Sequence, residues 1–196
     1  LKQLAKVNTD AGRNWYQPWG HVFSKHIEPV QVAEDVISRY TNRTGARVTE
    51  NPKQQGPEYR NDMDKVFIPP RWTFDSMPWF YCGLFHELAH STGRSDRLNR
   101  VIDNPFGTRD YAIEEMTADV AADFVMCDLG LMERKMLENT GYYLNDWIGQ
   151  LFNPEACFME YLTDHQSKEA NLNSFDAYFE RTMIRGRQAA DYLLDN

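Results

Sequence analysis

A chain of 196 residues, 42% apolar and 13% aromatic, holds enough material for one substantial core, or for one core with a long appendage. With 21 Lys and Arg against 29 Asp and Glu, the formal net charge of -8 excludes an overall basic surface for gripping a phosphate backbone. Three widely spaced cysteines, Cys82, Cys127 and Cys157, fit neither a disulfide framework nor a four-cysteine metal site, which points to a reducing, cytoplasmic setting. The longest apolar run, Met77 to Phe85, falls far short of the ~20 residues that span a bilayer, so no membrane insertion is expected. The chain opens on Leu1 instead of methionine, which points to a piece of a longer protein.

Residues 1–28 read as an N-terminal arm or linker, because Trp15, Pro18, Trp19 and Gly20 interrupt any helical period. Residues 29–196 read as the domain proper. Val32, Val36, Ile37 and Tyr40 recur at helical spacing ahead of Gly45, which predicts a first helix over 29–44. Short apolar or alternating pieces follow, Ala46 to Thr49, Glu58 to Arg60 and Lys65 to Ile68, closed by Pro69 and Pro70, and they predict a small sheet. The next helix, with Thr73 or Asp75 as its cap, carries Phe80, Leu84 and Leu88 and stops at Gly93. After a loop rich in Arg, Asp and Asn, residues 110–130 keep apolar side chains at Ile113, Met116, Val120, Ala121, Phe124 and Val125, the pattern of a long buried helix. Three further helices are expected, one with Tyr143, Trp147 and Leu151, one around Phe158 and Leu162, and one with Phe175, Phe179, Met183, Ala190 and Leu194, broken at Asn153-Pro154 and at Asn171 to Asn173. The expected class is α+β: mostly helical, with a small N-terminal antiparallel or mixed sheet and a helical C-terminal half.

The run His86-Glu87-Leu88-Ala89-His90 is an H-E-x-x-H pattern. On a helix, two histidines four apart lie on one face about 6 Å apart along the axis, so both imidazoles can turn to one ion. They supply two of the three protein ligands of a catalytic zinc, while Glu87, about 100° round the helix, can face the water without being a ligand. Leu84, Phe85, Leu88 and Ala89 make the surroundings apolar, where uncoordinated histidines would leave unmet polar groups. Cys82 lies one turn before His86, a place more usual for a small core thiol than for a ligand.

The third ligand must come from elsewhere. Glu115 and Asp119 form an E-x-x-x-D pair one turn apart, so Glu115 could bind zinc while Asp119 takes a histidine N–H, an arrangement resembling the gluzincins. Asp96 completes H-E-x-x-H-x-x-G-x-x-D, a metzincin-like spacing without an evident Met-turn. Glu115 is favoured over Asp96, with Glu114 a further option on the neighbouring helix face.

Taken together, these residues resemble the zincin-like peptidase domain at the C-terminal end of ArdC-type antirestriction proteins of conjugative plasmids and related phage proteins. The likeness runs from about Ile27 to Trp147 and again from Arg187 to Leu194. Its matching stretches are Lys65 to Pro70, His86 to Gly93 with Arg97-Leu98-Asn99-Arg100, Tyr111 to Glu115, Asp128-Leu129-Gly130, Tyr143 with Trp147, and Gln188 to Leu193. It implies a zincin-like fold, Zn²⁺ as cofactor, and the second glutamate of Glu114-Glu115 as ligand; the place of Asp96 is commonly serine there. Departures are Ser91, where the family carries an aromatic, and a stretch between Trp147 and Gln188 longer than expected by about twenty residues. The single-strand-DNA-binding domain that precedes the peptidase in such proteins is not in this sequence, so nucleic-acid binding is not expected of this piece.

The function expected is hydrolysis of a protein or peptide substrate, with Glu87 taking a proton from metal-activated water and passing it to the leaving amine. Tyr111, Tyr142, Tyr143 and His165 are the candidates for facing the oxyanion. The Lys65 to Ile68 strand is expected to offer an edge for an extended substrate. The rival readings are a non-enzymatic zinc-containing module that binds a protein, and a single-strand-DNA-associated antirestriction factor.

Overall fold

Ala33, Val36 and Tyr40 recur at three- and four-residue spacing, and all three are buried on one face of helix α1, Gln31–Thr44. Gly45, at φ 78°, ends it and turns its amide back to the Thr41 carbonyl, a left-handed stop that costs glycine least. The structure is a computed structural model that describes residues 28–106, 108–151 and 168–195. The expected arm over 1–28 therefore lies outside the described residues except for Glu28, and so do the Asn153-Pro154 break and the helix expected around Phe158 and Leu162.

Strands β1 (Arg47–Glu50), β2 (Glu58–Arg60) and β3 (Lys65–Ile68) make a mixed sheet in the order β1-β3-β2. β1 runs parallel to β3 with Arg47 opposite Lys65, and β2 runs antiparallel to it with Tyr59 opposite Val66. β3 is thus the middle strand, with Val66 and Ile68 fully buried, and it has no free edge to offer a substrate. This corrects the sequence expectation: β1 passes to the far side of β3, a connectivity that β3's own residues do not carry. The free edges belong to β1 and β2, and β2 is the one whose backbone meets Glu87.

Helix α2, Met77–Thr92, follows Ser76 and not Thr73 or Asp75. Thr73 is occupied one turn earlier, where its amide and its hydroxyl both donate to the Pro70 carbonyl and close a separate 3-10 turn, Arg71–Thr73. Pro78 suits the first turn of α2, where its missing N–H costs nothing. Phe80, Tyr81, Leu84, Phe85, Leu88 and Ala89 are all buried, so α2 is the central rod of the core and not an amphipathic surface helix.

Helix α3, Arg109–Asp128, is capped by Thr108, whose hydroxyl oxygen accepts from the Tyr111 amide at 3.2 Å. Ala118, Ala121 and Ala122, all buried, let it lie close to its neighbours. Helix α4, Arg134–Leu151, packs Tyr143 and Trp147 onto Ala112, Ile113 and Met116 of α3. Helix α5, Lys168–Leu194, runs unbroken through Asn171 to Asn173, against the expected interruption. Those residues include neither Gly nor Pro, and asparagine costs a helix only about 0.7 kcal/mol per residue. The packing of the later turns on α3 is intimate: a Cβ on Gly186 would stand 2.5 Å from Val120 Cγ1. The expected class is therefore observed, α+β and mostly helical with a small mixed sheet. Among the described residues no helix is long and apolar enough to cross a membrane.

Candidate metal centre

Helix α2 presents His86 and His90 one turn apart on the face that meets α3, and their Nε2 atoms stand 3.2 Å apart. Glu115, from α3, brings Oε2 to 3.6 Å from His86 Nε2 and Oε1 to 3.8 Å from His90 Nε2. Buried Ala89 and Ala118, small side chains on the two helices, leave room for this approach. Two nitrogens held by one zinc at about 2.0–2.1 Å in a tetrahedral arrangement would be about 3.3 Å apart, so the three separations suit a shared ion. The two imidazoles are 14% exposed and the Glu115 side chain 18%, which leaves the cluster open to solvent on one side.

The far nitrogens are covered. Asp119 Oδ1 stands 2.9 Å from His86 Nδ1, and Glu114 Oε1 stands 3.2 Å from His90 Nδ1. With each Nδ1 facing a carboxylate, the two Nε2 atoms are left to face each other and Glu115, the orientation that metal-ligating imidazoles take. The charges agree. Burial would push the His86 imidazole down, but Asp119 and Glu115 hold it well above its usual value, and Glu114 and Glu115 likewise raise His90. Burial would raise Glu115, yet both histidines and the Tyr111 hydroxyl hold its carboxyl down to about 2. Two imidazoles ringed by Glu87, Glu114, Glu115 and Asp119 make a place that favours added positive charge, and a divalent cation is the group that fits it.

Glu87 follows His86 on the helix and lies under the sheet. Its Oε2 accepts a hydrogen bond from the Tyr59 amide at 2.7 Å, so the free edge of β2 faces this carboxylate. Burial raises the Glu87 carboxyl, while His86 and His90 pull the other way.

Among the other sequence candidates, Asp96 sits in the loop after α2, its side chain 60% exposed and paired with Arg94 at 3.1 Å. Glu114 lies behind His90, gripped by Arg100 through Nη2 at 2.8 Å and Nε at 3.0 Å. Tyr111 is beside the cluster, four residues before Glu115, close enough for its hydroxyl to help hold the Glu115 carboxyl down. Tyr142 is 69% exposed, Tyr143 is buried in the α3–α4 packing, and His165 lies outside the described residues. Cys82 is buried in the core. Among the described residues, His86, His90 and Glu115 are the group of metal-ligating side chains that converge. Sequence reasoning missed the Tyr59 amide, a main-chain donor with no residue signature. It also gave Arg100 no role.

Residues 35–159 match the family described as zincin-like metallopeptidase. The chain belongs to that family. This zincin-like domain is also similar to two DNA primase TraC proteins of Escherichia coli, 40% and 37% identical over 73 residues, which is 37% of this chain and 5% and 7% of theirs. Protein y4eC of Sinorhizobium fredii is 25% identical over 128 residues, covering 65% of this chain and 41% of its own. The domain therefore spans only a part of the length of each of these relatives. Among solved structures, the Mn(II)-bound antirestriction protein ArdC from the R388 plasmid aligns with a TM-score of 0.58 at 20% identity, over 86% of this chain and 52% of that one. The metal-free form aligns with a TM-score of 0.52 at 19% identity, over 85% and 50%. Those two alignments show that the fold is shared.

Proposed function

We propose that this zincin-like domain is a zinc-dependent peptidase in which His86, His90 and Glu115 hold the metal and Glu87 is the general base. The observation that carries the reading is the convergence of two imidazole Nε2 atoms and one carboxylate, with a second carboxylate adjoining them as non-ligand. Bound there, zinc supplies Lewis acidity and lowers the pKa of water toward about 7.

The rest belongs to the protein. Glu87 takes the proton of the attacking water and hands it to the leaving amine; the burial that raises its carboxyl suits a group that must both accept and release a proton. The Tyr59 amide fixes Oε2 of Glu87 and leaves Oε1 for the proton. Tyr111 is the candidate oxyanion partner that stands at the cluster, and burial raises its hydroxyl pKa, so it stays protonated and able to donate. The Tyr59 amide points away from β3 and toward Glu87, so an extended polypeptide laid along the free edge of β2 would pass the metal ligands. This supports a protein or peptide substrate.

The relatives, named as a plasmid antirestriction protein and as primases and each longer than this chain, support service to a mobile element as one part of a longer protein. The test is Glu87→Gln with zinc loaded. Cleavage of a proteome-derived peptide library should fall by about 10²–10⁴-fold while zinc stays bound, the range for loss of a general base. Equal cleavage by wild type and variant would remove Glu87 from the mechanism. No cleavage by the zinc-loaded wild type, with antirestriction intact in the variant, would give the function to a non-enzymatic protein-binding module. A gel shift with single-stranded DNA that weakens as salt rises would instead favour a DNA-associated role.

A further inference from the structure

Glu114 is a buried acid beside the proposed metal ligands, and its carboxylate is held at both oxygens. Its partner, Arg100, arrives from the loop that follows α2. Gly93 ends that helix without a side chain, and there a Cβ would stand 2.3 Å from Ile102 Cγ2 and 3.2 Å from Arg100 Nη2, so the returning loop needs glycine at this point. Asn99, at φ 51°, reverses the chain with its amide on the Arg94 carbonyl, and Leu98 and Arg100 donate their amides to the carbonyls of Thr92 and Gly93. The guanidinium then lies flat against the end of α2. Nη1 donates to Thr92 Oγ1 and Nη2 to the Ala89 carbonyl, each at 2.8 Å, while Nε and Nη2 take the two oxygens of Glu114 as a fork. Both side chains are only 6% exposed.

We propose that Arg100 is a positioning residue for the metal centre: by clamping Glu114 to the last turns of α2, it fixes the ring of His90 so that Nε2 faces His86 and Glu115. The inference rests on the reading of His86, His90 and Glu115 as ligands. Glu114 Oε1 is shared between Arg100 Nη2 and His90 Nδ1, so the orientation of the carboxylate and the orientation of the ring are set together. Every donor of the fork has an acceptor fixed to α2 or α3, and a lysine, with one point charge, cannot span both Glu114 oxygens and the Ala89 carbonyl at once. Without the guanidinium, nothing would tie Glu114 to the end of α2, and its carboxylate would be free to turn away from His90.

The experiment measures zinc affinity by competition with a chromophoric chelator, alongside urea midpoints of the metal-free forms, for wild type, Arg100→Met, Arg100→Lys, Glu114→Gln and the double variant Arg100→Met/Glu114→Gln. Tight zinc binding by the wild type tests the ligand reading by itself, and its absence would sink that reading, not the role of the clamp. Given a zinc-binding wild type, Arg100→Met and Glu114→Gln should each lower zinc affinity by about 10–100-fold, and Arg100→Lys should recover only part of the loss. In the Glu114→Gln background, Arg100→Met should add little, because both act along one path. The nitrogen-15 resonance of His90 Nδ1 should move in Arg100→Met, although Arg100 does not touch the ring. A folded Arg100→Met or Arg100→Lys protein that binds zinc like the wild type, with only a lower urea midpoint, would overturn the proposal. So would additive losses in the double variant.

Discussion

Asp123 is expected to give the fold a pH dependence that can be measured apart from the proposed metal ligands. It lies one turn after Asp119 on α3, and its Oδ1 accepts a hydrogen bond from the Thr140 hydroxyl at 3.1 Å. Burial, with the Asp119 charge adding to it, raises its carboxyl from 3.8 to about 7 even though the Thr140 bond opposes the change. A carboxyl whose folded pKa exceeds its unfolded one binds more protons in the folded state between those two values, so stability is lost as the pH climbs through that window. The gap of about 3 pH units, at about 1.36 kcal/mol each, sets a ceiling of about 4 kcal/mol. Asp123 is only half-buried, and solvent screening reduces the expected effect to about 1–2 kcal/mol. Asp123→Asn keeps an acceptor for Thr140 and removes the titration. Urea unfolding of chelator-treated wild type and variant at pH 5 and pH 8.5 isolates the difference, since every other group is common to both. The stability of the variant relative to wild type should improve by about 1–2 kcal/mol from the lower pH to the higher. Parallel pH profiles would show that the charge of Asp123 is not opposed by its surroundings, and the reasoning would fail.

Gly186→Ala should destabilise the fold by about 1–3 kcal/mol despite the better helix propensity of alanine, because the new methyl meets Val120 at 2.5 Å and 2.9 Å and Ala121's amide nitrogen at 3.3 Å; thermal unfolding checks it, and a raised Tm would show that α3 and α5 can part at little cost. Arg97, 2% exposed, pairs with Asp64 and also donates to the Ser91 carbonyl at 2.8 Å, so Arg97→Met should cost about 3–5 kcal/mol by leaving Asp64 without its cation. Adding Asp64→Asn should recover part of that loss in urea melts, and no recovery would place the damage in packing. Asp96→Ala should leave zinc affinity within about twofold in chelator competition, as expected of an exposed side chain away from the cluster; a loss of ten-fold or more would reopen the metzincin-like arrangement.

The α2 site was legible because H-E-x-x-H is a local geometry: four residues along a helix put two imidazoles on one face whatever the rest of the chain does. The acid opposite them was not local. Glu114, Glu115 and Asp96 each satisfied some spacing rule, and only the packing of α3 on α2 shows that Glu115 meets both Nε2 atoms while Glu114 is turned to Arg100 and Asp96 to solvent. The sheet shows the same division. All three strands stand close to their predicted places, yet which of them lies in the middle depends on how β1 crosses to β3, and so the expectation of a free edge on Lys65 to Ile68 fails. Helix α5 erred in the other direction: a cluster of asparagines reads as a stop, but it is a weak local penalty that a 27-residue helix packed on α3 overrides. The Tyr59 amide at Glu87 could not have been found, since any residue but proline supplies an amide.

The ligand set is tested most directly by zinc K-edge X-ray absorption on the zinc-loaded protein, with metal content measured on the same sample. The account predicts one zinc per chain with two imidazole nitrogens, oxygen completing the shell and no sulfur, and a marked loss of bound zinc in Glu115→Gln. A sulfur neighbour, a single imidazole, or a Glu115→Gln protein that holds zinc as tightly as the wild type would contradict it.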